Sequence, residues 1–355
     1  MPPLFVSDYP QREQPRDHAS AEVLQANAIT GGLMMTLIPT ARGDVIDSSD
    51  LGLTMMHEHI FTISPEVNQN YPETWGDEEV RVREAIDELN EAKDHGVDTI
   101  VDVTVLGLGR YIPRIKRIAE STNMNIIVAT GLYIKESLPM FFNQRGPGTR
   151  WGGPEYMTDM FVRDIQVGIA DTGVRAAILK CATDVRGLTP AVERVLRAIA
   201  QAHRQTGVPI CTHTMAIPNA TDQQRVFTEE GVDLSRVMIS HIESAAARDI
   251  SYVETVIESG SFVSFDTFGI DVITTNDIRL DRIAELCRRG YADHLVLGND
   301  HPVYCDMLHP DSSYVWVVDL GVPGLRERGV SEEDIQQMLV INPRRLFETA
   351  SLGSY

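Results

Sequence analysis

The sequence predicts an α/β fold of the (β/α)8 TIM-barrel type, and three observations support this prediction. From residue 51 onward, short runs of β-branched residues alternate with stretches in which Val, Ile and Leu recur at helical spacing. Most of the short runs are almost continuously apolar, as expected of parallel strands that are covered on both faces. Eight such units fit within about 300 residues, which is a usual size for this barrel.

The elements follow one another regularly along the chain. The eight strands are predicted at residues 52–57, 98–104, 125–131, 176–182, 208–213, 236–241, 261–266 and 294–299. Gly96, Gly173, Gly207 and Gly260 each end a helical stretch, because glycine readily adopts the left-handed backbone that closes a helix. A doubly wound open sheet is the alternative, but no glycine-rich phosphate-binding loop follows the first strand.

The barrel is predicted to be a single domain, residues 36–355, with residues 1–35 as a short N-terminal extension. The extension is polar and irregular, so we expect it to be either disordered or the result of a start assigned too far upstream, and we assign it no function. Residues 134–160 and 301–325 follow the third and eighth strands as long segments. A barrel places substrate-contacting loops at these points.

Composition limits the classes of partner. The chain has 355 residues, of which 43% are apolar, and a net charge of −20. This charge disfavours nucleic acid and anionic membranes. No apolar run approaches the roughly 20 residues that span a bilayer, and the N-terminus lacks the features of a secretory signal. We therefore expect a cytoplasmic protein that acts on a small-molecule substrate, without nucleic-acid or membrane partners. We expect its cysteines to be buried, reduced thiols: Cys181, Cys211, Cys287 and Cys305.

One lysine lies where a charge is costly. Lys180 falls within the apolar run AAILKCATD, and an ammonium group is expensive to bury unless it is paired or used chemically. Five further candidate metal ligands lie at or just past the C-terminal ends of predicted strands: His57, His59, His213, His241 and Asp300. In a parallel barrel these ends form the catalytic face. The sequence therefore predicts a metal site there.

The number of candidate ligands points to two ions. A single catalytic zinc usually takes three protein ligands, and this set offers four histidines and one aspartate. Two ions that lie close together need a bridging oxygen, which a protonated lysine cannot provide. Carboxylation of the Lys180 amine by carbon dioxide would supply bridging oxygens and would remove the buried positive charge.

The motifs GLTMMHEHI, ILKCATD, THT, the SH of VMISHIES, and LGND resemble, in this order, those of the phosphotriesterase family. These amidohydrolase-type barrels include the phosphotriesterase-like lactonases. The resemblance extends over most of residues 36–350, and within the first motif only Met55 departs, since leucine is usual there. It implies a binuclear centre of divalent metals, with Zn favoured over Mn, Co or Fe. It assigns His57, His59 and Asp300 to the more buried ion and His213 and His241 to the exposed ion, with N6-carboxylated Lys180 and a hydroxide bridging the two.

The resemblance also implies a mechanism. The bridging hydroxide attacks a lactone or carboxylic ester carbonyl, with promiscuous cleavage of phosphotriesters, and Asp300 passes the proton to the leaving group. Tyr133, in the motif TGLY, matches a family tyrosine close to the substrate, so it either assists the electrophile or only packs. Members of the family often form dimers, which makes a homodimer our expectation.

Two departures from the family pattern concern the substrate and the proton relay. Lactonase-like members carry an Asp-Arg pair after the seventh strand, but here Asp266 is followed by Thr267. The usual acidic residue three positions after the sixth-strand histidine is Ser244, with Glu243 adjacent. Glu243, Asp266 and His301 all remain candidates for a proton relay.

Three alternatives remain open. The same metal site could hydrolyse an amide or carbamate. Lys180 could instead form a Schiff base in a metal-independent lyase, although this leaves the four histidines unexplained. A non-catalytic ligand-binding barrel would not need all six residues.

Overall fold

The structure is a computed structural model, which describes residues 36–307 and 312–348. The predicted N-terminal extension, residues 1–35, lies outside the described residues. No helix in the described part of the chain has both the length and the apolar character needed to cross a bilayer.

The predicted (β/α)8 barrel is confirmed. A short antiparallel hairpin, β1 (Leu37–Pro39) and β2 (Val45–Asp47), precedes it. Eight parallel strands then follow in chain order around one sheet: β3 (Thr54–Thr62), β4 (Thr99–Asp102), β5 (Asn125–Gly131), β6 (Ile178–Thr183), β7 (Ile210–Thr214), β8 (Val237–Ser240), β9 (Phe262–Phe265) and β10 (Leu295–Leu297). Each of these strands overlaps one of the eight predicted apolar runs.

Helices connect the strands: α1 (Pro65–Asn70), α2 (Glu78–Asp94), α3 (Ile112–Ala119), α4 (Met140–Gln144), α5 (Tyr156–Gln166), α6 (Pro190–Thr206), α7 (Asn219–Glu229), α8 (Glu243–Arg248), α9 (Ile250–Glu258), α10 (Asn276–Arg288), α11 (Val322–Glu327), α12 (Glu332–Gln336) and α13 (Asn342–Glu348). Helix α6 shows how the sequence sets these boundaries. The Thr189 hydroxyl accepts from the Val192 N–H, Pro190 occupies the first turn, and Gly207 ends the helix with φ of 75°.

The first barrel strand is longer than predicted, because a ninth strand pairs with its second half. The segment expected to be a loop at residues 301–325 contains β11 (Pro302–Cys305), which pairs in parallel with β3, Pro302 opposite His59. The Asp300 N–H donates to the His57 carbonyl at 3.0 Å, and the His59 N–H donates to the His301 carbonyl at 3.0 Å. These bonds connect the last barrel strand to the first and close the ring.

The candidate site lies on the same strand face as a layer of apolar side chains. Ile178 and Cys211 belong to a buried cluster that packs between the strands. Because side chains two residues apart on a strand share a face, Lys180 and His213 project from the same face as Ile178 and Cys211. Apolar packing at these positions thus supports the polar end of the barrel.

Candidate metal centre

All six predicted ligands meet at the C-terminal end of the barrel. His57 and His59 lie within β3, Lys180 within β6 and His213 within β7. His241 and Asp300 follow β8 and β10. The lysine and the four histidines are buried, and Asp300 is partly exposed.

Three histidines face one carboxylate. The Nε2 atoms of His57 and His59 lie 3.5 and 3.3 Å from Oδ1 of Asp300. The Nε2 atom of His241 lies 3.9 Å from Oδ2 of the same residue. His57, His241 and Asp300 each offer a ligand atom within 4.8 Å of the others, a spacing that one metal ion can bridge.

His213 completes the group from the other side. Its ring centroid lies 4.6 Å from that of His241. The Tyr133 hydroxyl lies 3.5 Å from His213 Nε2, so this predicted residue also belongs to the cluster. Burial, with the charges of Asp184 and Asp300, raises the pKa of Tyr133, which therefore remains a phenol at neutral pH.

The outer nitrogens of three histidines have fixed partners. Nδ1 of His57 donates to Asp266 Oδ2 at 2.9 Å, and Nδ1 of His241 donates to Asp266 Oδ1 at 2.7 Å. Nδ1 of His59 lies 2.8 Å from the Thr104 hydroxyl. The Asp266 carboxylate can only accept, so it fixes the tautomer in which Nε2 of His57 and of His241 carries the lone pair that can bind a metal.

Burial and local charge prepare these groups for metal binding at neutral pH. Burial, with the charge of Lys180, lowers the pKa of His57 to about 3. Burial and the neighbouring His241 hold the pKa of His213 well below its usual range. Burial opposes ionisation of Asp300, but the charges of His241 and His57 outweigh it and lower the pKa of this carboxyl. The site thus presents neutral His57 and His213 beside an ionised Asp300.

Among the described residues, no carboxylate forms an ion pair with Lys180. Its Nζ lies 3.1 Å from His57 Nε2, 3.4 Å from Cys211 Sγ and 3.4 Å from the Thr212 carbonyl. No carboxylate is among these contacts, although the side chain is buried. A buried ammonium beside an imidazole lowers the proton affinity of that imidazole and gains little in return. The donor set therefore fits divalent cations better than it fits a protonated lysine.

Two candidate ligands also have unusual backbone conformations. His241 and Asp300 have φ of 59° and 50°, in the left-handed region that non-glycine residues rarely occupy. Among non-glycine residues of the described chain, only Ala170 shares this sign of φ. Strained backbone that persists is typical of functional sites, and apolar patterning carries no signal for it.

Sequence reasoning missed two supporting roles. Asp266 was recognised only as a possible relay, and Thr104 was not singled out, although both lie at the ends of predicted strands. Polar residues at strand ends of a barrel are the signal that could have identified them. His301, another relay candidate, has both ring nitrogens engaged: Nε2 lies 2.8 Å from Glu88 Oε2 and Nδ1 lies 3.0 Å from the Ser312 hydroxyl.

A sequence profile of the phosphotriesterase family matches residues 36–347. The chain belongs to the phosphotriesterase family. It is 54% identical over 323 residues to the phosphotriesterase homology protein of Mycobacterium tuberculosis, a match that covers 88% of this chain and 98% of that protein. It is 35% identical to the aryldialkylphosphatase of Saccharolobus solfataricus, covering 87% and 99% of the two chains.

A solved structure supports the same assignment. The phosphotriesterase from Mycobacterium tuberculosis matches this fold with a TM-score of 0.86 and 53% sequence identity, covering 88% of this chain and 98% of that one. The family predicted from the sequence motifs is therefore confirmed. This protein is a phosphotriesterase-family hydrolase with a His/Asp cluster suited to a divalent metal.

Proposed function

We propose that this protein is a binuclear metal-dependent hydrolase of lactones and carboxylic esters, with phosphotriester cleavage as a secondary activity. One observation carries the proposal. Three imidazole Nε2 atoms converge on Asp300, while Lys180 is buried beside them with no carboxylate partner within residues 36–307 and 312–348. A carboxylated lysine in a metal centre accounts for both features.

The described residues fit two divalent ions, with zinc favoured and Mn, Co or Fe as alternatives. His57, His59 and Asp300 would hold one ion, and His213 and His241 the other. Reaction of the neutral Lys180 amine with carbon dioxide gives an anionic carbamate and releases a proton, and the two carbamate oxygens would bridge the ions. When bound, the two cations supply a hydroxide near neutral pH and polarise the carbonyl oxygen of the substrate.

The chain's own residues provide proton transfer and orientation. Asp300 is ionised at neutral pH and its side chain is 22% exposed, so it can accept a proton and pass it to a leaving group at the opening of the site. Tyr133 remains protonated beside His213 and can donate a hydrogen bond to a substrate oxygen. Asp266 holds the imidazoles of His57 and His241 in place throughout.

Exposed apolar side chains on segments after the barrel strands favour an apolar substrate. Large apolar side chains remain exposed on segments that follow the barrel strands: Met140, Trp151, Val185, Val272 and Met307. An acyl chain or an aryl group could contact such side chains while its carbonyl reaches the cluster. The relative named aryldialkylphosphatase supports the secondary phosphotriester activity.

A substrate panel tests the proposal. We would measure kcat/KM of protein reconstituted with zinc and bicarbonate on a long-chain lactone, an aryl ester, a phosphotriester and an N-acyl amide, with Lys180→Ala beside it. We expect kcat/KM to be higher for the lactone or ester than for the other substrates, and Lys180→Ala to lower it by about 10³-fold. A dominant amide would replace the substrate class with the amide alternative. An active Lys180→Ala variant would contradict the bridging role, and borohydride trapping of a ketone on Lys180 would support the Schiff-base alternative.

A further inference from the structure

A buried acid–guanidinium pair lies directly behind the cluster. Glu243 is the first residue of α8, two positions after His241, and Arg279 lies in the first turn of α10. Their side chains are fully buried, and Arg279 Nε lies 3.4 Å from Glu243 Oε1. Because burying two charges costs free energy that their attraction only partly offsets, such a pair needs a reason for its position.

Both members of the pair form hydrogen bonds with the turn that follows β9. Glu243 Oε1 accepts the backbone N–H of Asp266, and it accepts both the N–H and the hydroxyl of Thr267, at 2.8 and 3.1 Å. Arg279 Nη2 donates to the same Thr267 hydroxyl at 2.9 Å and to the Thr274 carbonyl at 3.1 Å. Hydrogen bonds from the two side chains therefore fix the backbone of Asp266 and Thr267 and the hydroxyl of Thr267.

This turn controls the orientation of two candidate ligands. The two carboxylate oxygens of Asp266 accept from Nδ1 of His57 and Nδ1 of His241. The backbone N–H of His241 also donates to Asp266, at 3.0 Å. A shift of the turn would therefore move the partner of both imidazoles at once.

We propose that Glu243 and Arg279 are positioning residues for the metal centre: they fix the turn after β9 so that Asp266 aligns the imidazoles of His57 and His241. The inference rests on the proposed function, because it assumes that these histidines bind metal. Neither residue needs to touch substrate or metal for this role.

The chain offers a matched control. Arg236 is also a buried arginine, but it lies immediately before β8, at the opposite end of the barrel. It donates to the carbonyls of Leu346 and Gly207 at 2.8 and 2.7 Å. Arg236→Lys and Arg279→Lys each remove a planar guanidinium group and retain its positive charge. Only the change at position 279 should reach the metal ligands.

The test is the zinc affinity of the full-length protein, measured by competition with a chromogenic chelator between pH 6 and 8. We expect Glu243→Gln and Arg279→Lys each to weaken zinc binding about 10-fold, as partners of metal-binding histidines typically do. The double variant should lose less than the product of the two effects, because both residues act through one turn. Arg236→Lys should keep the wild-type zinc affinity even where its thermal midpoint falls as far as that of Arg279→Lys.

Wild-type zinc affinity in Glu243→Gln and Arg279→Lys, or an equal loss in Arg236→Lys, would overturn the positioning role and leave the proposed function intact. Failure of the wild-type protein to bind zinc, Mn, Co or Fe would instead reject the proposed function. If the Glu243 and Arg279 variants do not fold, Thr267→Val decides, because it removes only the hydroxyl that both side chains share. A loss of about fivefold in this variant supports the inference, and wild-type affinity overturns it.

Discussion

Two buried cations occupy opposite ends of this barrel, and their surroundings differ. Arg236, before β8, donates to two backbone carbonyls at 2.8 and 2.7 Å. Lys180, within β6, contacts an imidazole nitrogen at 3.1 Å and a thiol and a carbonyl at 3.4 Å. Both side chains are no more than 2% exposed. Arg236 thus has short hydrogen bonds to carbonyl oxygens, whereas the shortest of these Lys180 contacts is to an imidazole nitrogen.

The difference separates a structural charge from a functional one. In barrels of this type, the N-terminal end of the strands serves stability and the C-terminal end carries the chemistry. Arg236 donates hydrogen bonds to backbone carbonyls. Lys180 requires something that the polypeptide does not supply, and we attribute this to carboxylation and metal binding.

The largest expected effect is the loss of kcat/KM in Lys180→Ala, measured beside Arg236→Lys. Lys180→Ala should lower kcat/KM by about 10³-fold, because metal stabilisation of the reacting oxygen contributes several kcal/mol. Its thermal midpoint in the metal-free state should not fall much, since a poorly paired buried charge is removed. Arg236→Lys should show the opposite: a lower thermal midpoint and kcat/KM close to the wild type. An equal loss of kcat/KM in both variants would contradict the distinction between a structural Arg236 and a functional Lys180.

Asp266→Asn sharpens the comparison at the catalytic end. The substitution removes the charge that accepts from His57 and His241 and keeps the size of the side chain. We expect zinc affinity, measured by chelator competition, to fall between about 10-fold and 100-fold. An unchanged affinity would show that the two imidazoles are oriented without Asp266.

The stability of metal-free protein should depend on pH through the catalytic end. The pKa of His57 is lowered from 6.5 to about 3 in the folded protein, chiefly by burial. Between these values the unfolded chain binds a proton that the folded chain does not, so the free energy of unfolding falls as the pH falls. The folded-to-unfolded ratio should drop about tenfold per pH unit from this residue alone.

Urea unfolding of metal-free protein from pH 7 to pH 4 measures this dependence, with His57→Gln for comparison. As the pH falls, the folded-to-unfolded ratio should decrease less steeply in the variant than in the wild type, by about a factor of ten per pH unit. His241 acts in the opposite direction: Asp266 and Asp300 raise its pKa against the effect of burial, so it stabilises the fold at low pH and loses that contribution as the pH rises. Identical slopes in the two proteins would contradict the depressed pKa of His57.

The smallest expected effect concerns His59. Thr104→Val removes the hydroxyl that lies 2.8 Å from Nδ1 of His59, and it changes no charge. Zinc affinity should fall about fivefold, less than for Asp266→Asn, because one neutral hydrogen bond is lost. If zinc affinity fell as far as in Asp266→Asn, the charge of Asp266 would not explain a difference between Asp266 and Thr104 as partners of the histidines.

The sequence was sufficient for the barrel and for the residues that meet at its end. Apolar runs located all eight strands. Polar residues at the ends of those runs, and a lysine inside one of them, identified the six candidate ligands that the structure brings together. This worked because strand burial and strand ends are local properties of the chain.

The remaining features depend on contacts between distant segments. The extension of β3 to Thr62 accompanies pairing with Pro302–Cys305, a run of four residues that the sequence analysis placed within a loop. Asp266 aligns two histidines, and Glu243 and Arg279 form hydrogen bonds with the turn that contains Asp266. These contacts form only when four separate segments of the chain meet. The left-handed backbone of His241 and Asp300 likewise has no signature in hydrophobic patterning.

The most direct test of the central claim is the metal content of the protein after reconstitution with zinc and bicarbonate and removal of excess metal. Inductively coupled plasma mass spectrometry should find about two zinc ions per chain in the wild type, as expected of a two-metal site with a bridging ligand. Lys180→Ala should retain clearly fewer. A wild type with a single ion, or a Lys180→Ala variant that keeps both, would contradict the assignment of Lys180 as the residue that joins two metals.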